Sequence, residues 1–155
     1  MAASLHIEVI SLRDLKTESS TLMPAKQQPL VLVVDDERVI ADTLSIILSR
    51  GGFTTVTAYD GESALELALA VAPDLLLSDV MLGPGIDGTQ LAIELTTELP
   101  DCKVILFSGH AATRDLLTEA RKLGHDFTLL TKPIHPADLL ARITETLPMR
   151  SHANA

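Results

Sequence analysis

Cysteine, aromatic residues and basic charge are all scarce in this chain, and each shortage narrows what it can be. One cysteine, Cys102, stands among 155 residues. That excludes an internal disulfide and any cysteine-rich zinc site, and it suits a reducing compartment. Cys102 sits just before the apolar run Val104 to Phe107 and reads as a small packing residue. Aromatics make up 3% of the chain, so its 46% of apolar residues must build a core from Leu, Val, Ile and Ala. Such a core suits helices packed on a parallel sheet. Lys and Arg number 12 against 21 Asp and Glu, a formal charge of −9. No clustered basic surface for nucleic acid is expected from that balance. No apolar run reaches the length of a membrane span. Glu8, Arg13 and Asp14 interrupt the amino end, which therefore does not resemble a signal peptide. His6, His125, His135 and His152 show no metal-ligand spacing. A single cytoplasmic domain with no membrane or nucleic-acid partner is expected.

From Leu30 onward two kinds of segment alternate. Short apolar runs occur at Leu30 to Val34, Phe53 to Ala58, Leu75 to Leu77, Val104 to Phe107 and Phe127 to Leu130. Helical periodicity fills the intervals: Ile40, Leu44, Ile47 and Leu48; Leu65, Ala68, Leu69 and Ala72; Leu91, Leu95 and Leu99. Two more stripes follow, in Leu116, Leu117, Ala120 and Leu123, and in Leu139, Leu140, Ile143 and Leu147. Gly51-Gly52 and Gly124 mark helix ends, while Pro136 suits a first helical turn. Five strands alternating with five helices predict an α/β fold, a doubly wound five-stranded parallel sheet covered on both faces. Residues 1–29 are expected to be a flexible extension and linker ending in "PAKQQP", with a weak strand at His6 to Ile10. Met23 is an alternative start, and 148–155 form a short tail after a domain spanning 30–147.

The carboxyl ends of parallel strands are where ligands gather, so the polar residues at those ends matter most. The first strand ends in Asp35-Asp36, the third near Asp79, the fourth in Ser108-Gly109, and the fifth in Lys132-Pro133. A strand order of 2-1-3-4-5 makes these ends neighbours. Two adjacent carboxylates repel in a low-dielectric site unless a third charge faces both, and a hard divalent cation such as Mg²⁺ answers that need. The plainer alternative is that Asp36 caps the following helix. Asp79 lies between Leu75-Leu76-Leu77 and Val80-Met81-Leu82, where an unpaired carboxylate is costly. Asp87 reads as part of the turn "GIDG", without chemistry, and His110 as a loop residue close enough to overlook the site. Acids, hydroxyl and lysine together suit phosphoryl transfer with Asp79 as nucleophile.

With these residues in view, "VLVVDDE", "LLLSDVML", "VILFSG" and "LLTKP" resemble, in this order, the receiver domain of two-component response regulators. The resemblance spans about Leu30 to Leu147 and implies a flavodoxin-like fold of order 2-1-3-4-5. It implies that Asp79 accepts a phosphoryl group from a histidine kinase or a histidine phosphotransfer protein. It further implies Mg²⁺ (or Mn²⁺) bound by Asp36 directly, Asp35 through water, Asp79, and the backbone carbonyl of Met81. Ser108 and Lys132 match the positions that contact the phosphoryl group, and a cis bond between Lys132 and Pro133 is implied as well.

Two departures accompany this likeness. The stretch "DVMLGPGIDG" is one residue longer than the family loop, with Gly83, Pro84 and Gly85 absorbing the excess. The aromatic that usually stands three residues before the lysine is replaced by Leu129, with Phe127 the nearby aromatic of the same strand parity. Met81, His110, Phe127 and Leu129 are therefore candidate modulators. The expected function is a stand-alone phosphorylation switch acting on an unknown downstream protein, as a monomer or a phosphorylation-dependent dimer. It would catalyse only its own phosphorylation and dephosphorylation. The alternatives are a phosphorylation-independent pseudo-receiver, or a haloacid-dehalogenase-like phosphatase. The phosphatase pattern wants Asp-x-Asp after the first strand, where this chain has Asp35-Asp36-Glu37.

Overall fold

The structure, a computed structural model, describes residues 28–109 and 113–147. The expected strand at His6 to Ile10, the residues before Gln28, the tail and His110 lie outside them. Ten elements alternate among the described residues: β1 (Leu30–Val34), α1 (Arg38–Arg50), β2 (Thr54–Ala58), α2 (Gly61–Val71), β3 (Leu75–Asp79), α3 (Gly88–Glu98), β4 (Lys103–Ser108), α4 (Thr113–Lys122), β5 (Thr128–Thr131) and α5 (Pro136–Thr146). The five strands form one parallel sheet, as the sequence pattern predicts, in the order β2-β1-β3-β4-β5 that the receiver resemblance implies.

Strand alternation sorts the core into two layers. Leu32, Val34, Leu76, Val104 and Leu106 face α2, α3 and α4, meeting Ala64, Ala68, Leu91 and Leu95. Val31, Val33, Leu75, Leu77, Ile105 and Phe107 face α1 and α5, meeting Ala41, Leu48, Leu139 and Ile143. Both faces are thus covered, which is why the central strands carry unbroken apolar runs. Helix α2 packs through alanine, so the sheet comes close. Leu69, which the periodicity assigns to the core, is instead 49% exposed, and Leu123, just past α4, is 70% exposed. Apolar spacing fixes the buried stripe only to within a residue or so when small side chains are available to fill it.

Local signals place the ends as expected. Pro136 opens α5, and Gly124 (φ +91°) follows α4. The Lys132–Pro133 bond is cis. Strand pairing sets Val34 beside Ser78, Asp79 beside Phe107, and Ser108 beside Thr131. The carboxyl ends of β1, β3, β4 and β5 therefore share one edge of the sheet, and every polar residue singled out there converges on it.

Candidate functional site

The first two acids have opposite environments because they alternate. The backbone N–H of Asp35 donates to the Ala58 carbonyl at 3.3 Å, carrying the β1–β2 ladder one step past the strand and turning its side chain inward. Asp35 is fully buried, whereas Asp36 is exposed. The capping alternative for Asp36 is overturned. The residue at the start of α1 is Glu37, which makes no side-chain cap, and it is Asp35 Oδ1 that accepts from the Glu37 N–H at 2.9 Å. Asp36 leads into α1 without serving it.

Asp79 ends β3 and is 8% exposed. Its Oδ1 accepts from the Met81 N–H at 3.2 Å, and its Oδ2 lies 3.0 Å from Lys132 Nζ. The backbone beneath it is held twice over: Ser78 Oγ donates to the Asp79 carbonyl at 2.8 Å, and Val80 N–H donates to Phe107 at 3.1 Å. Gly88, the first residue of α3, folds back so closely that any Cβ would collide with the Asp79 carbonyl. Only glycine permits that approach.

Lys132 reaches these acids from just beyond β5. Its N–H donates to the Ser108 carbonyl at 3.0 Å, which keeps it in line with β4. Its ammonium stands 3.0 Å from Asp79, 3.5 Å from Asp35, and 4.8 Å from the centre of the Phe107 ring. Burial alone would lower the Lys132 pKa, but the hydrogen bond and charge of Asp79, joined by those of Asp35, outweigh it and leave the pKa raised. At Asp35 the balance goes the other way. Burial pushes its carboxyl from 3.8 up to about 6, against the lowering effects of the Glu37 N–H and Lys132, and the charge of Asp79 adds to the rise. A buried acid that is reluctant to ionise wants a further positive charge.

The donor set fits a hard divalent cation. One carboxylate oxygen from each of Asp35, Asp36 and Asp79 lies within 4.8 Å of the others, and all are oxygen donors. Three carboxylates against one ammonium leave an excess of two negative charges. Gly83 (φ +77°) passes beside Asp36, where a Cβ would stand 3.6 Å from Oδ2.

The other anticipated residues are placed less centrally. Ser108 is buried at the end of β4, on the same edge. Met81 is half exposed just past Asp79. Leu129 and Phe127 both pack against the layer that holds Leu106, as their shared parity predicts, although Phe127 precedes the strand and stacks on His125 instead. Asp87 caps α3 by accepting from Gln90 N–H at 2.8 Å, a structural task in keeping with its turn. Sequence reasoning missed Gly88 and Ser78. Of these, only Gly88 left a trace, as the last residue of "GIDG".

A parallel sheet of this order, with paired acids after β1, an acid ending β3, a hydroxyl ending β4 and a lysine after β5, defines the receiver class. The model of the response regulator receiver domain family matches residues 31–144, and the chain belongs to that family. It is 36% identical over 124 residues to the probable transcriptional regulatory protein TcrX of Mycobacterium tuberculosis, covering 79% of this chain and 52% of that protein. It is likewise 36% identical over 128 residues to the transcriptional regulatory protein CseB of Streptomyces avermitilis, covering 83% and 53%. The chain thus spans about half the length of these curated relatives. Among solved structures, a CheY-like receiver domain protein from Methanospirillum hungatei superposes with a TM-score of 0.70 at 29% identity, over 76% of this chain and 92% of that one. The Vibrio cholerae chemotaxis protein CheY4 superposes at 0.69 with 25% identity, over 77% and 99%. This is the receiver domain of a two-component response regulator.

Proposed function

We propose that Asp79 is a phosphoacceptor, charged by a histidine kinase or a histidine phosphotransfer protein, and that its phosphorylation switches binding to a downstream protein. The observation that carries this reading is the Asp79 carboxylate itself, gathered with Asp35 and Asp36 and 3.0 Å from Lys132 Nζ. In the transfer, an Asp79 carboxylate oxygen forms a bond to phosphorus as the phosphorus–nitrogen bond of the donor's phosphohistidine breaks. The electron pair stays with the imidazole nitrogen. Mg²⁺ or Mn²⁺ held by Asp35, Asp36, Asp79 and the Met81 carbonyl would supply charge neutralisation for the phosphoryl oxygens. Lys132 already faces Asp79, where its ammonium can contact a phosphoryl oxygen, and Ser108 lies on the same edge of the sheet. The added charge and the new contacts to these two residues bias a two-state equilibrium, which is the output. The protein catalyses its own phosphorylation and hydrolysis and turns over no outside substrate.

Incubation with Mg²⁺ and acetyl phosphate, followed by a phosphate-affinity gel beside Asp79→Asn, tests the reading. A Mg²⁺-dependent shifted band absent from the variant is expected. A second reading, a receiver that binds partners without phosphorylation, draws on Leu129, a partly buried leucine packed against the core where the family pattern uses a mobile aromatic. Partner binding unchanged in Asp79→Ala would favour it.

A further inference from the structure

The loop from β3 to α3, one residue longer than the family pattern, leaves Asp79, passes Asp36 at Gly83, and is then fastened at Ile86. The Ile86 N–H donates to Glu62 Oε1 at 3.0 Å. Its side chain and carbonyl fill the space over Gly61, where a Cβ would stand 2.7 Å from the carbonyl oxygen. Gly85 (φ +96°) presses the loop backbone onto the same Glu62 carboxylate. The platform beneath is stiff, because Asp60 caps α2 by accepting from Ser63 N–H at 2.7 Å and from Ser63 Oγ at 2.9 Å. On its other side Ile86 adjoins Asp87, which caps α3. An exposed glutamate in the first turn of α2 therefore closes a loop whose near end borders two acids of the metal site.

We infer that Glu62 is a positioning residue: its carboxylate latches the β3–α3 loop to α2 and so holds the backbone of Met81 and Gly83 at its place beside Asp79 and Asp36. The inference rests on the metal-binding reading proposed above. The latch works through a hydrogen bond to a backbone amide, so an uncharged acceptor of the same shape should serve nearly as well.

The test titrates Mg²⁺ alone against the full chain by calorimetry, for wild type, Glu62→Gln and Glu62→Ala, with amide exchange at Ile86 and the urea midpoint as companions. Glu62→Ala should weaken Mg²⁺ binding by about threefold to tenfold, the net worth of one hydrogen bond expressed as an equilibrium constant. It should also speed exchange at Ile86. Glu62→Gln should stay close to wild type on both counts. Equal Mg²⁺ affinity in Glu62→Ala and wild type overturns the inference while leaving the phosphoacceptor reading standing. A Glu62→Gln loss as large as that of alanine also overturns it, since charge and not the latch would then be responsible. Failure of the wild type to bind Mg²⁺ removes the metal reading and the inference together.

Discussion

Replacing Asp35 with asparagine should make the metal-free protein more stable, although the substitution removes a candidate metal ligand. Asp35 is fully buried and its carboxyl is raised from 3.8 to about 6. Each unit is worth about 1.4 kcal/mol, so keeping Asp35 ionised at neutral pH costs the fold roughly 3 kcal/mol. That figure already includes the attraction of Lys132 at 3.5 Å. Asparagine still offers an oxygen to the Glu37 N–H, but its amide cannot satisfy the lysine as a carboxylate does. The expected gain is therefore about 1–3 kcal/mol. The sign with pH follows from a carboxyl whose folded pKa is raised. Its contribution is favourable below the unfolded value near 4 and is lost as pH climbs through about 6. Urea denaturation with a chelator, at neutral pH and close to pH 4, reads both effects: the advantage of Asp35→Asn should be present at the first and shrink at the second. Excess Mg²⁺ should reverse the order by stabilising the wild type alone. A variant less stable than wild type at neutral pH without metal would show that burial does not dominate at Asp35.

Three further outcomes are expected. Thr89 is 5% exposed and its hydroxyl finds no partner among the described residues; Thr89→Val should raise stability by about 1–2 kcal/mol, read from the urea midpoint. Gly88→Ala drives a methyl group into the Asp79 carbonyl and should cost about 4 kcal/mol or more, or prevent folding, as circular dichroism melting would report. Because Asp35 must lose its proton to take part in a metal site, Mg²⁺ affinity by calorimetry should fall by up to about tenfold per pH unit below about 6. A flat profile through that range would contradict a role for Asp35.

The fold was legible because each central strand is a continuous apolar run, such as Leu75-Leu76-Leu77, and each is followed by a helical stripe. Parallel topology then sends the strand ends to one edge, so Asp35, Asp36, Asp79, Ser108 and Lys132 could be grouped before any distance was known. What escaped was whatever depends on backbone proximity. Nothing in "DGES" tells that Glu62 meets the amide of Ile86, 24 residues later, because a backbone donor carries no signature in the side-chain sequence. Thr89 in a helix's first turn reads as ordinary, yet it is buried beside Gly88, which approaches β3 closely. The division of labour between Asp35 and Asp36 was half hidden for the same reason. Adjacent carboxylates look equivalent in sequence, but the extra ladder bond to Ala58 turns one inward and leaves the other in water.

Phosphorylation of Asp79 is the step on which the proposed switch depends. Treating the acetyl-phosphate-reacted protein with borohydride, which reduces an acyl phosphate to an alcohol, and sequencing the peptides by mass spectrometry would test it most directly. Mg²⁺-dependent conversion of Asp79 to homoserine is expected, with Asp35 and Asp36 unmodified. Reduction at either of the paired acids, or a stable phosphate on Ser108, would contradict it.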